Sequence, residues 1–361
     1  MSNIIEAHDL VKSYDAQPAR RRSSPLSPVT GLMPPPKPAE STPGAQERAD
    51  RVRAAGDEPS PQGSKGVAAV QGISFAVRAG EVFGLLGPNG AGKTTTMSML
   101  ATLLRPTSGS LSIAGFDAVR NADRVKQAVG IVPQELALYP TLSARDNLMF
   151  FGQIYGLGGR MLKQRVDEAL GIVGLADRAG ERIDRYSGGM KRRINMAAGL
   201  LHHPQILLLD EPTVGVDPQS RNYIFDNVER LNREGMTIIY TTHYMEEAER
   251  LCQRIAIMDH GRIIALDTPK NLVELLGGGV IRIGLRTSPN GVVGKIRALP
   301  EINSLQLEDH TLSVRASHSE AALAGIVSAF NEEGVPINSL EILEPNLESV
   351  FLHLTGKHLR D

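Results

Sequence analysis

The sequence predicts an α/β fold, and three observations carry that prediction. Apolar runs of strand length recur at VFGLLG (82–87), ILLLD (206–210) and TIIYTT (237–242). Near-continuous apolar runs mark strands buried on both faces, as in a parallel sheet. Ile194, Ala197, Ala198 and Leu201 follow the i, i+3, i+4, i+7 spacing of one buried helix face. Between a strand and a helical stretch, Gly87-Pro88-Asn89-Gly90-Ala91-Gly92-Lys93-Thr94 matches G-x-x-x-x-G-K-[ST].

Taken in order, residues 4–14 (IIEAHDLVKSY) read as a short strand and its exit. From Ala16 to Gly66 the composition changes: ten of the 22 prolines fall there, with no aromatic residue. Such a stretch cannot bury enough surface to offset its conformational entropy, so it reads as a disordered, Pro-rich insertion at about 16–66. Its Arg20-Arg21-Arg22-Ser23-Ser24-Pro25 run reads as solvated linker. GISFAV (72–77) is the next strand, and the α/β pattern then runs from Val82 to about Leu276. Gly277-Gly278-Gly279 marks a boundary between residues 1–276 and 280–361. Beyond it the order is strand (280–286), helix (about 290–298), strands (302–308 and 311–316), helix (319–333) and strand (337–343). That is the split βαβ, ferredoxin-like arrangement, and a last short helix (about 346–355) follows it.

Composition narrows the function. The 361 residues carry 39 Lys plus Arg against 40 Asp plus Glu, a net charge of −1 without the basic excess of a nucleic-acid wrapper. Cys252 is the single cysteine, so no intrachain disulfide forms, and it reads as a small core hydrophobe. No stretch approaches the roughly 20 apolar residues that span a bilayer. The N-terminus carries charges where a signal peptide has an apolar core.

The chemistry sits in three places. The glycines of 87–92 let the backbone curl its N–H groups toward phosphate oxygens, and the following helix adds its positive end. Lys93 reaches the outer phosphates, and the Thr94 hydroxyl, next to Thr95, ligates Mg²⁺. Asp210 and Glu211 close a buried strand at its carboxyl end, where α/β sheets bind ligands. Asp210 suits Mg²⁺, and Glu211 suits polarising an attacking water. Ser187-Gly188-Gly189 opens a helix beginning near Lys191, as an N-cap or as a second anion cradle. One ATP needs one cradle, so the second points to the ATP of another subunit.

In this order, the motifs resemble the nucleotide-binding subunit of ATP-binding cassette (ABC) transporters over residues 1–15 and 67 to about 275. The resemblance implies a P-loop NTPase core with antiparallel β and helical subdomains, beside the small α+β C-terminal domain. It implies that Ser187, Gly188 and Gly189 close on the γ-phosphate of the partner's ATP. By the same resemblance Gln134, in VPQE, senses Mg²⁺ and the membrane partner. Asp217, ending Val214-Gly215-Val216-Asp217, joins the two sites across a dimer, His243 contacts the γ-phosphate, and Tyr14 stacks on adenine. Tyr186 and Met190 replace the Leu and Gln of the commonest signature. Those choices, with Lys191-Arg192-Arg193 and the tail EPNLESVFLHLTGKHLRD (344–361), resemble bacterial exporters of the daunorubicin-resistance type. The resemblance implies ATP and Mg²⁺ as cofactors, separate permease chains, a second copy or paralogue, and a peripheral place on the cytoplasmic face of the membrane. No nucleic acid is expected. The competing readings are a soluble cassette ATPase acting on DNA or ribosomes, and the ATPase of an importer.

Overall fold

The computed structural model describes residues 2–14, 67–276, 278–286, 291–308, 310–317, 319–343 and 345–356. The predicted insertion at about 16–66 and Gly277 lie outside them. By backbone contacts, Met1–Lys12 and Ala68–Asp361 form one compact unit and Ser13–Val67 another. The second contributes only Ser13, Tyr14 and Val67 to the described residues.

In chain order the elements are β1 (Asn3–Tyr14), β2 (Val67–Arg78), β3 (Val82–Leu86), α1 (Lys93–Leu100), β4 (Ser108–Ile113), β5 (Phe116–Asp117), α2 (Ala122–Ala128) and β6 (Val129–Val132). There follow α3 (Ala144–Ile154), α4 (Gly159–Ile172), α5 (Gly188–Leu200), β7 (Ile206–Asp210), α6 (Pro218–Arg233), β8 (Thr237–Thr242), α7 (Met245–Leu251), β9 (Arg254–Asp259), β10 (Arg262–Asp267) and α8 (Pro269–Glu274). The C-terminal part comprises β11 (Gly279–Leu285), α9 (Val292–Arg297), β12 (Ile302–Glu308), β13 (Thr311–Ala316), α10 (Ser319–Glu332), β14 (Ile337–Leu343) and α11 (Leu347–Thr355).

The three apolar runs are β3, β7 and β8, and every residue in them is buried. They lie side by side in a six-stranded sheet of order β10-β9-β3-β8-β7-β6, parallel except for β10 at its edge. All five parallel strands therefore end at one edge of the sheet, and the loops leaving β3, β7 and β8 emerge together there.

A four-stranded sheet, β2-β1-β4-β5, covers one face of this core, with Ile5, Leu10, Ile73, Phe83, Met97 and Ile239 between the layers. The opposite face packs Leu207, Val228, Ile238, Tyr240, Leu251 and Leu272 under α6, α7 and α8. Helices α3, α4 and α5 gather a separate cluster around Leu148, Val166, Leu170 and Ile194, the expected helical subdomain.

The C-terminal sheet has order β12-β13-β11-β14 with every pair antiparallel. With α9 and α10 on one face, over Ile281, Ile283, Val314, Ile326 and Phe330, this is the expected ferredoxin-like topology. The last helix, α11, leaves that sheet: Leu347, Val350 and Phe351 join the core of the six-stranded sheet beside Leu251 and Leu272. The Glu249 carboxylate on α7 accepts from the Leu347 backbone N–H at 3.0 Å, and the Asn346 side chain caps α11.

Cys252 is buried against Gly84, where an added Cβ would lie 2.9 Å from its Sγ. Burial pushes the thiol pKa far up, leaving an inert core side chain.

Candidate functional site

The loop 87–92 is built where β3 ends. A Cβ at Gly87 would sit 2.3 Å from the Met258 carbonyl oxygen on β9, so only glycine lets the loop start this close to the sheet. Gly92 caps α1 at φ 101, a left-handed geometry that turns the chain into the helix. Ala91 is buried and Pro88 half-buried, while Asn89 and Gly90 face solvent. Thr94 is exposed and Thr95 half-buried on the first turn of α1.

Lys93 folds back into its own loop. Its ammonium donates to the Gly87 carbonyl at 2.7 Å and to that of Pro88 at 3.2 Å. It also pairs with Glu211 Oε1 at 3.1 Å, and both side chains are only 4% exposed. A buried lysine demands such partners, because an unpaired buried charge is costly.

Glu211 stands at φ 46, in the left-handed region, a strained position for a non-glycine residue. Its backbone N–H donates to Thr241 Oγ1 at 2.9 Å and to the Thr241 carbonyl at 3.2 Å, which holds the turn. Its Oε2 accepts from Gln134 Nε2 at 3.2 Å. The same oxygen lies 3.4 Å from His243 Nδ1, a contact without hydrogen-bond alignment that leaves Nδ1 buried and unbonded.

Asp210, one residue earlier, accepts from Thr241 Oγ1 at 2.6 Å and from the Thr94 side chain. Burial raises its carboxyl pKa, and the bonds to Thr241 and Thr94 partly oppose this. Thr94, Asp210 and Gln134 offer hard oxygen donors of the kind Mg²⁺ takes. The structure thus brings Lys93, Thr94, Gln134, Asp210, Glu211 and His243 into one connected group drawn from four separate segments.

Ser187, Gly188 and Asp217 lie elsewhere, on an exposed ridge formed by the starts of α5 and α6. Helix α5 begins at Gly188, three residues earlier than the sequence reading near Lys191. Ser187 is its N-cap, accepting from the Met190 N–H at 3.2 Å. Gly189 meets α6 so closely that a Cβ there would lie 2.0 Å from Ser220 Oγ. Asp217 caps α6 by accepting from the Ser220 N–H at 2.9 Å, which holds its carboxyl below the usual range. Tyr14 ends β1, is exposed, and belongs to the other compact unit.

Sequence reasoning missed three groups that hold the site. Thr241, read only as part of an apolar strand, binds both Asp210 and the Glu211 backbone. Arg192 and Asn195 on α5 donate to the Pro133 carbonyl at 3.3 and 3.2 Å, and Arg192 also bonds the Gln134 carbonyl. Glu247 is buried among three hydroxyls. The one available signal was MEEAE itself, with two of its three carboxylates in the first turn of a helix, which suits a helix dipole as well as a buried role.

A phosphate loop at the end of β3, an acidic pair at the end of β7 and the parallel strand β8 between them define a P-loop nucleotide hydrolase. Comparison with known proteins narrows this. The model of the ABC transporter family matches residues 70–214. The chain is 47% identical to the linearmycin resistance ATP-binding protein LnrL of Bacillus subtilis (strain 168), over 81% of this chain and 95% of that protein. It is 40% identical to the daunorubicin resistance ATP-binding protein DrrA3 of Streptomyces coeruleorubidus, over 81% and 92%. To the Nod factor export ATP-binding protein I of Burkholderia pseudomallei (strain K96243) it is 39% identical, over 81% and 93%. Among solved structures, the ATP-binding cassette MJ0796 bound to ADP and Pi superposes with a TM-score of 0.55 at 20% identity, over 73% of this chain and 98% of that one. The cbiO1 subunit from Clostridium perfringens gives 0.57 at 24%, over 76% and 94%. The chain belongs to the ABC transporter family, as an ATP-binding and ATP-hydrolysing subunit. Among the described residues no helix is long and apolar enough to cross a membrane.

Proposed function

We propose that this subunit powers export of a drug, antibiotic, lipid or similar amphiphile through separate permease chains, docked peripherally on the cytoplasmic face of the membrane. The names of its relatives support export. The chain works as two domains, residues 1–276 with the insertion at about 16–66, and residues 280–361. An exposed apolar patch of Leu136, Tyr139, Leu142, Phe150 and Ile154, next to the Gln134 loop, suits an apolar segment of a permease.

The observation that carries the chemistry is the buried Lys93–Glu211 pair. Lys93 and the N–H groups of 87–92, with Thr95, take the phosphates of ATP. Thr94, Asp210 and Gln134 hold Mg²⁺, whose charge neutralises the phosphate oxygens when it is bound. As Lys93 turns to the phosphates it releases Glu211, which then polarises water. His243 contacts the γ-phosphate from the other side of Glu211. Ser187, Gly188 and Gly189 of a second copy or a paralogue cap that phosphate, and Asp217 links the two sites. Catalysis is then positioning and electrostatics, with the carboxylate freed only when substrate is present.

The test is an affinity-tagged Glu211→Gln variant. Phosphate release should fall by orders of magnitude while ATP still binds, and a polytopic membrane protein should be recovered with it from solubilised membranes. Wild-type turnover would overturn Glu211 as the water-polarising group. Recovery with ribosomes or DNA-repair proteins alone would overturn the transport reading.

A further inference from the structure

We propose that Glu247 is a positioning residue that ties the turn carrying Glu211 to the turn carrying His243, so that both face one water. The proposal rests on the roles given above to Glu211 and His243.

Glu247 is the third residue of α7, and its side chain points back between the exits of β7 and β8, only 2% exposed. Its Oε1 accepts from Thr213 Oγ1 at 2.7 Å. Its Oε2 accepts from Thr242 Oγ1 at 2.9 Å and from the Tyr240 hydroxyl at 3.0 Å. Thr213 is two residues beyond Glu211, and Thr242 directly precedes His243. Each threonine also fixes its own turn. The Thr213 carbonyl accepts from the Val216 N–H at 3.2 Å, and Thr242 Oγ1 accepts from the Tyr244 N–H at 2.9 Å. Thr213 and Thr242 thus meet through this one carboxylate.

The energetics argue against a simple plug. A buried carboxylate is costly unless fully hydrogen-bonded, and an apolar side chain of similar size fills space more cheaply. The nearest cation, Arg221, stands 3.9 Å away with its Nε unbonded, so neutral hydroxyls do the satisfying. They come from both exits that carry the reacting groups. Burial and the Glu247 charge push the Tyr240 phenol up, which keeps it a donor at physiological pH. Glutamine cannot replace this group, because its amide nitrogen donates and would face a hydroxyl that now donates too.

The experiment compares Glu247→Gln with the wild type by single-turnover hydrolysis and by ATP binding without Mg²⁺. The expected result is a roughly 100-fold slower chemical step, the scale of a misplaced reacting group, with unchanged ATP affinity. Should that variant fail to fold, the near-isosteric Thr213→Val, Thr242→Val and their double replace it. If Glu247 joins the two turns, the double loses no more than the worse single variant; independent sites would multiply their losses. Equal losses in affinity and rate, or multiplying losses, would show a merely structural role and overturn the proposal. Glu211→Gln serves as the reference. If it hydrolyses normally, the site assignment fails; if it is slow while Glu247→Gln is wild-type, this inference alone fails.

Discussion

The Lys93–Glu211 pair makes the free protein its own competitor for ATP. The ammonium must leave a carboxylate at 3.1 Å to meet phosphate, in a place where both side chains are only 4% exposed and solvent screening is weak. Glu211→Gln keeps a carbonyl for Lys93 but removes the charge. A hydrogen bond to a charged group contributes about 1.5–3 kcal/mol; with Lys93 still charged but its acceptor neutral, the bond moves from the top of that range to its foot, so the competitor weakens by roughly 1–1.5 kcal/mol. With tenfold per 1.4 kcal/mol, ATP should bind about five- to tenfold more tightly. The assay is titration of a fluorescent ATP analogue in EDTA, which stops hydrolysis, at protein concentrations where only monomer is present. His243→Ala, which leaves the pair intact, should not tighten binding. Equal or weaker ATP binding by Glu211→Gln would refute the competition.

Phe351→Ala should lower unfolding free energy by about 3–5 kcal/mol in a denaturant titration, because the ring is buried in the core it shares with Leu251 and Leu272. Gly189→Ala places a methyl against Ser220 and should cost about 1–3 kcal/mol, with recovery on adding Ser220→Gly. Burial, the larger effect, holds the His202 imidazole below its ordinary 6.5, against an opposing bond to the Val129 carbonyl. The unfolded chain therefore binds the proton more readily. Stability present above about pH 6.5 is lost as pH falls toward the folded value. Urea midpoints across that range should fall more steeply for the wild type than for His202→Phe; parallel curves would contradict it.

What could be read in the sequence was whatever is local. The 87–94 loop carries its own geometry, because glycine and lysine act within one turn. Strands β3, β7 and β8 were legible because they are buried on both faces. By contrast β4, SGSLSI, buries only two of its residues fully and gives no such run. The start of α5 was placed late because Gly188 and Gly189 are poor helix formers; packing against Ser220 on α6 overrides that propensity. Thr241 and Asn195 act across the fold, between segments far apart in sequence, and Glu247 does so through Thr213. No single-segment pattern distinguishes them from ordinary strand or helix residues.

Helix α11 has a consequence for biosynthesis. The apolar face over Leu251 and Leu272 is finished by residues 347–351, which are translated only after the whole C-terminal sheet. Until then a nascent chain with every ATP-binding motif already made exposes that face, as partly folded intermediates expose theirs to aggregation. Completion of the ATPase core thereby waits on synthesis of its C-terminal appendage, and a chain stopped short of α11 keeps that apolar face uncovered.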